Sequence, residues 1–202
     1  VNIISWNLWH TRGAGPEQLA ALIATHKPDL LLMQEATAII DVLPKLCPGH
    51  YARITLPGRH HGLAAWSSAP WASPAISLKL QRGLVFRRVA QILSPPGLTI
   101  ANVHLSHGQW LNRFQLRQIA AALPGPAAIL GDCNMVGAPN LPGYTDSGPR
   151  RATHKSARLI PLRLDRCFTK NLLCTEAEVL DYGLSDHKPI KVSLAALQSA
   201  IV

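Results

Sequence analysis

The sequence predicts an α/β sandwich in which two sheets pack face to face and helices cover the outside. Three observations carry that expectation. Apolar runs of strand length recur along the chain, amphipathic segments of helical period fall between some of them, and Pro and Gly punctuate the joins without any internal repeat or low-complexity linker. A chain of 202 residues is a comfortable size for one domain, taken as 1–202, and would be short for two.

The run "VNIISWNLW" reads as a strand that ends in a polar cluster. In "GAGPEQLAALIATHKPD", Pro16 suits the first helical position, Leu19, Leu22, Ile23 and His26 recur at helical spacing, and Pro28 stops the helix. The continuous apolar run "DLLLMQE" fits a strand buried on both faces. "ATAIIDVLPKLC" is expected to be a second helix cut short by Pro44. From residue 51 to 105 the pattern turns to short β-like runs: "HGLAAWSS", "AISLKL", "LVFRRVAQIL" and "LTIANVHL". "QWLNRFQLRQIAAALPG" returns to helix, with Leu116, Ile119, Ala120 and Leu123 on one face and Arg113 and Gln115 on a solvated one. "AAILGDCN", "LRLDRCF" and "PIKVSL" supply three more strands.

Apolar residues make up 48% of the chain and charged residues 15%, and nothing approaches the roughly 20 uncharged apolar residues of a membrane span. A soluble, monomeric, globular protein is expected. The formal charge of +9 comes from scattered arginines, with pairs at Arg87-Arg88 and Arg150-Arg151, and favours nucleic acid, anionic lipid or phosphorylated ligands. Cys47, Cys133, Cys167 and Cys174 form no C-x-x-C pair and are too few for a disulfide scaffold. Together with the lack of a charged leader before the first strand, this gives a cytoplasmic expectation, although the missing initiator Met leaves a trimmed N-terminus open.

Polar residues gather where apolar strand runs stop. Asn7 ends the first, Glu35 the second and His104 the run "LTIANVH"; Asp132 and Asn134 follow "AAIL", Asp165 lies in "LRLDR", and Asp186-His187 opens "PIKV". Any one of these reads as a solvated terminus, but the set implies a shared pocket rich in oxygen ligands and imidazoles and free of thiolates. Such a pocket suits a hard cation, Mg²⁺ or Mn²⁺, completed by a substrate phosphate.

In order, "SWNLW", "LLMQE", "NVHLS", "LGDCN", "RLDRCF" and "LSDHKPI" resemble the endonuclease/exonuclease/phosphatase superfamily, from Asn7 to Pro189. The resemblance implies a four-layered α/β sandwich, a divalent metal site and hydrolysis of a phosphoester. Carried over, it makes Asn7, Glu35 and Asp186 metal ligands. Asp132 would orient or deprotonate the attacking water, with His187 as the alternative base, Asn134 on the same side of an extended segment would donate to phosphoryl oxygens, and His104 would assist the phosphate or leaving group. His187 would contact the phosphate, with Asp165 holding its other ring nitrogen and favouring the imidazolium.

The remaining histidines, His10, His26, His50, His60, His61, His107 and His154, read as surface or packing residues, and Asn102 as structural. Cys133 is expected to point into the core, and the five tryptophans to pack in core or rim, with Trp110 placed where it could reach substrate. Trp9 stands where some DNA-cleaving relatives carry an acid. The Pro-, Gly- and Arg-rich segment 135–161 is the candidate substrate-facing loop, its Arg150, Arg151, Lys155 and Arg158 available to flanking phosphates. Adjacent Ser185, Asp186 and His187 cannot form a serine-hydrolase relay, and no G-x-S-x-G elbow, P-loop or dinucleotide fingerprint is present. The substrate classes that fit are nucleic acid, ahead of phospholipid or inositol phosphate, with a catalytically silent nucleic-acid-binding module as a third reading.

Overall fold

The computed structural model describes residues 1–83, 87–156, 160–181 and 183–197. The first half of the chain runs β1 (Asn2–Asn7), α1 (Pro16–His26), β2 (Leu30–Ala36), a 3₁₀ turn (Ala38–Val42), α2 (Leu43–Leu46), β3 (His50–Thr55), β4 (Gly62–Ser67), β5 (Ile76–Lys79) and β6 (Val89–Leu93). It continues through β7 (Thr99–His104), α3 (Gln109–Ala122), β8 (Ala127–Asp132), β9 (Thr145–Asp146), β10 (His154–Ser156), β11 (Ile160–Leu162), β12 (Asp165–Lys170), β13 (Leu172–Val179) and β14 (Ile190–Ala196).

Two six-stranded mixed sheets result, ordered β13-β14-β1-β2-β4-β3 and β5-β6-β7-β8-β12-β9, beside the small hairpin β10-β11. Each large sheet holds one parallel pair, β1 with β2 and β7 with β8. Parallel neighbours need a crossover, and α1 and α3 supply it.

Alternation along the strands explains the layering. Ile3, Leu30, Leu32, Ile100, Leu130 and Val192 point between the sheets, whereas Ile4, Leu31 and Met33 point outward against Leu19 and Ile23 of α1. On the other side Val103, Ile129 and Phe168 pack against Leu116 and Ile119 of α3. Three apolar layers therefore separate four layers of structure: helices, sheet, sheet and helix. Because both faces of the central strands are covered, they read as unbroken apolar runs.

Some local expectations change. Pro44 sits in the first turn of α2, where its missing N–H is harmless, and so begins that helix rather than cutting it short. Gln115 is fully buried, not solvated, and its amide ties Ser106 Oγ to the Gln81 carbonyl. Trp110 is 91% exposed and packs in neither core nor rim. Strands β3 and β13 carry no apolar run in the sequence: both are sheet edges whose side chains are mostly half-buried or exposed. Segment 135–161 carries β9, β10 and the start of β11. Arg158 and the opening of "LVFRRVAQIL" lie outside the described residues, as does the side chain of Lys155.

Gly131 is where the second sheet admits no side chain. Its φ is +138°, and a Cβ there would lie 2.0 Å from the Val103 carbonyl oxygen on the neighbouring strand. Gly131→Ala should therefore destabilise the protein by about 3 kcal/mol or more, read as a shift in urea midpoint. A variant as stable as the parent would mean that β7 and β8 do not approach this closely.

Candidate active site

Strand direction assembles the site. Parallel pairing sets Asn7 opposite Gln34 and His104 opposite Asp132. Antiparallel β12 begins where β8 ends, with Asp165 opposite Asp132. Asp186 and His187 precede β14, which runs antiparallel to β1. That approach is fastened by the Ser185 hydroxyl donating to the Asn7 carbonyl at 2.6 Å and by Trp6 Nε1–H donating to the His187 carbonyl at 2.9 Å. Residues from both sheets thus share one rim.

Glu35 reaches the rim through a backbone irregularity. Pairing of β2 with β4 slips between Gln34 and Ala36, and Glu35, the extra residue, takes φ +57°. Such a bulge re-aims a side chain that regular alternation would send elsewhere. The preceding Gln34 is buried and donates to Ser5 Oγ at 3.0 Å and Asn102 Oδ1 at 2.8 Å. Asn102 in turn donates to the Met33 and Ala64 carbonyls and to Gln91, confirming a structural part that joins the two sheets. Glu35 itself accepts from the His10 backbone N–H at 3.0 Å and pairs with His10 Nδ1. Burial pushes the Glu35 carboxyl up, but these His10 contacts outweigh it and hold the group below the usual carboxylate range.

Asp132 is the hub. Its carboxylate accepts from Asn7 Nδ2 at 3.0 Å and from the Asn134 backbone N–H at 2.9 Å, while His104 Nε2 lies 3.5 Å and His187 Nε2 3.8 Å away. The backbone at Asn134 is left-handed, φ +48°, not extended as expected, and that turn brings its N–H onto Asp132. Asn134 Nδ2 donates to the Leu105 carbonyl at 3.0 Å and lies 3.4 Å from Asp132. Cys133 between them is fully buried in the core.

Behind His187, Asp165 Oδ2 stands 2.8 Å from Nδ1. Burial alone would lower the His187 pKa, yet the carboxylates of Asp165 and Asp132 prevail and push it up to about 10. For Asp132 burial acts upward, His187 opposes it and Asp165 adds to it, leaving the carboxyl above its ordinary value. Burial, with Arg88 and His187 nearby, holds His104 well below the ordinary imidazole value, so it is neutral. The rim therefore offers a charged imidazole, a neutral one and a basic carboxylate side by side.

A cleft of about 370 Å³ opens over these groups, lined by Glu35, His104, Asp132, Asn134, Asp186 and His187 among others. Asn7 and Asp165 are buried beside it, each fixing a residue that faces it. Burial raises the Asp186 carboxyl, but His154 and His187 overcome this and leave it lowered. Two ionised carboxylates, Glu35 and Asp186, thus face one cleft, a donor set that fits a hard divalent cation.

The histidines read as surface or packing residues are partly something else. His154 stands 3.7 Å from Asp186 through Nε2, its ring 4.5 Å from that of His187, and it also lines the cleft. His10 pairs with Glu35 and stacks on His61. The only hint for His10 was its place three residues after Asn7; for His154 the sequence holds no hint, because a bridge between distant segments brings it to His187. Arg150, expected to meet phosphates, contacts Asp146, which Arg163 and Arg166 clamp as well. That cluster ties segment 135–161 to Arg163 and Arg166.

The model of the endonuclease/exonuclease/phosphatase family matches residues 4–187. The chain belongs to the endonuclease/exonuclease/phosphatase family. Members of the endonuclease/exonuclease/phosphatase family are typically metal-dependent phosphoesterases that use divalent metals. Comparison with curated proteins found no match. Among solved structures, the endonuclease/exonuclease/phosphatase from Bacteroides vulgatus has a TM-score of 0.78 at 17% identity, covering 98% of this chain and 99% of that one. Its namesake from Beutenbergia cavernae has a TM-score of 0.74 at 17% identity, covering 97% and 71%. D. rerio TDP2 complexed with a single-strand DNA product has a TM-score of 0.78 at 13% identity, covering 97% and 99%. At these identities the likeness establishes the family's fold.

The His187–Asp165 pair gives this family member a measurable signature. Paired with Asp165, His187 should stay protonated to well above about pH 8, and Asp165→Asn, which removes the largest contribution opposing burial, should bring its deprotonation down toward neutrality. Imidazole ¹⁵N NMR titration of metal-free protein reads both. A parent His187 that titrates near neutrality would contradict the pairing.

Proposed function

We propose that this chain is a divalent-metal-dependent phosphodiesterase that hydrolyses nucleic acid by in-line attack of water. The observation that carries the reading is the line Asp165–His187–Asp132 in a cleft that also presents Glu35 and Asp186. Mg²⁺ or Mn²⁺, held by Glu35 and Asp186 with the Asn7 side-chain oxygen, would supply Lewis-acid polarisation of the phosphoryl group. Everything else is asked of the protein's own groups.

Asp132, its pKa raised by burial and its oxygens aimed by Asn7 and Asn134, orients water and takes its proton. The His187 imidazolium, kept charged by Asp165, faces the phosphoryl oxygens and stabilises the negative charge that grows on them. The 3.8 Å between His187 Nε2 and Asp132 leaves both free to meet a third group. Neutral His104 lines the cleft and is placed to meet a phosphoryl or leaving-group oxygen. Asn134 holds Asp132 and Leu105 and has only its loosely engaged N–H to offer substrate.

Nucleic acid is favoured over lipid by three features. The chain carries +9. Exposed Trp110 stands on α3 beside Gln109 and Val136, which line the cleft, and offers a base a stacking face. A structural neighbour, D. rerio TDP2, is described with a single-strand DNA product.

With Mg²⁺ or Mn²⁺, single-stranded DNA or RNA should be cleaved, and Asp132→Asn should lower kcat by about 10²- to 10⁴-fold with KM little changed. Contact with about three phosphates would make log kcat/KM fall against log salt with a slope near −2. Hydrolysis of sphingomyelin vesicles or inositol phosphates, with polynucleotide untouched, would replace nucleic acid with those substrates. Hydrolysis of none by parent protein would leave a binding module.

A further inference from the structure

Beside the cleft lies a second group of potential ligands that the phosphodiesterase reading does not use. One ring nitrogen each of His10, His60 and His61 lies within 4.8 Å of the others. The three rings are neighbours in every pair, with centroids 4.0 Å apart for His10 and His61, 5.3 Å for His10 and His60, and 5.2 Å for His60 and His61. His61 is 9% exposed, and its Nδ1 has no hydrogen-bond partner, an expensive condition for a buried polar atom. His10 is held at Nδ1 by the Glu35 carboxylate, which leaves Nε2 as its available nitrogen. A carboxylate on one ring nitrogen is the usual arrangement by which a metal-binding imidazole is oriented and made more basic.

We propose that His10, His60 and His61 form a second cation site, for a borderline transition ion such as Zn²⁺ or Co²⁺, with Glu35 orienting His10 from behind. The chemistry separates it from the oxygen-donor cleft: imidazole nitrogens select such ions, whereas Mg²⁺ prefers carboxylates and water. Three histidines leave the fourth tetrahedral position to water or another exchangeable ligand. Bonds of about 2.0–2.1 Å require nitrogens roughly 3.4 Å apart, so the rings must close inward. His10 and His61 are stacked at an interplanar angle of 22°, and one of them turns as the ion binds. His60 is exposed, which gives an ion a way in from solvent and leaves that side chain free to move.

Because Glu35 also faces the cleft, the two sites would share a wall. The inference does not rest on hydrolysis, and binding alone tests it. Parent protein is titrated with Co²⁺ in the presence of excess Mg²⁺, following visible absorption and calorimetry. One Co²⁺ should bind per chain with the spectrum of nitrogen ligation at low coordination number. His60→Ala and His61→Ala should each weaken it by tenfold or more, Glu35→Gln should weaken it less, and Asp186→Asn should leave it unchanged. If His61→Ala fails to fold, the exposed His60 position still decides the matter, and His60→Ala should keep Mg²⁺-supported hydrolysis wherever the parent has it. No Co²⁺ uptake under excess Mg²⁺ would overturn the proposal. So would uptake that is indifferent to His60→Ala and abolished by Asp186→Asn, since the ion would then sit in the cleft.

Discussion

A carboxylate removed from water must find its donors in the protein, and Asp132, 1% exposed, is where that requirement organises this fold. Its donors come from the end of β1 and from the turn after β8, and imidazoles at the end of β7 and before β14 stand 3.5 and 3.8 Å away. None is near in sequence except Asn134. They meet because the two central parallel pairs end at the same rim and because β12 starts opposite the end of β8. A sandwich that slipped by one residue at any of these strands would turn a rim side chain into the core. Register is held against that by the apolar layer between the sheets and by the buried Gln34–Asn102–Gln91 chain of hydrogen bonds.

Strain gathers at the same rim. Among described residues, five non-glycine positions have positive φ, and three of them, Trp9, Glu35 and Asn134, lie at or beside the cleft. Each such conformation costs about 1–3 kcal/mol and persists only where the surroundings over-determine it. At Glu35 the bulge and at Asn134 the Asp132 contact convert that cost into direction: a carboxylate turned toward the cleft and an N–H turned onto the hub. Less strained geometry would leave both pointing along the ordinary pleat.

Much of this was legible in the sequence. Unbroken apolar runs marked the strands covered on both faces, and the polar residue closing each run marked the rim, because alternation fails where a strand leaves the sheet. What stayed hidden was of two kinds. Edge strands such as β13 have one solvated face and an irregular pairing near Cys174, so neither a run nor clean alternation announces them. Residues such as His154, His10 and His61 owe their neighbours to long-range contacts and to the bulge at Glu35, and nothing local to their motifs encodes either. Gln115 misled for a related reason: a buried amide with two partners looks, in sequence, like one on a wet helix face.

Charges of both signs meet at the rim. His187, held cationic over Asp165, stands between Asp132 and Asp186, while Glu35 and Asp186 keep their negative charge toward the cleft. The account stands or falls on whether a hard ion enters between those two carboxylates. Anomalous diffraction from crystals equilibrated with Mn²⁺ locates it directly. The predicted result is a peak in the cleft, in contact with Glu35 and Asp186. An empty cleft at saturating Mn²⁺, with the ion ordered only elsewhere on the molecule, would contradict the account.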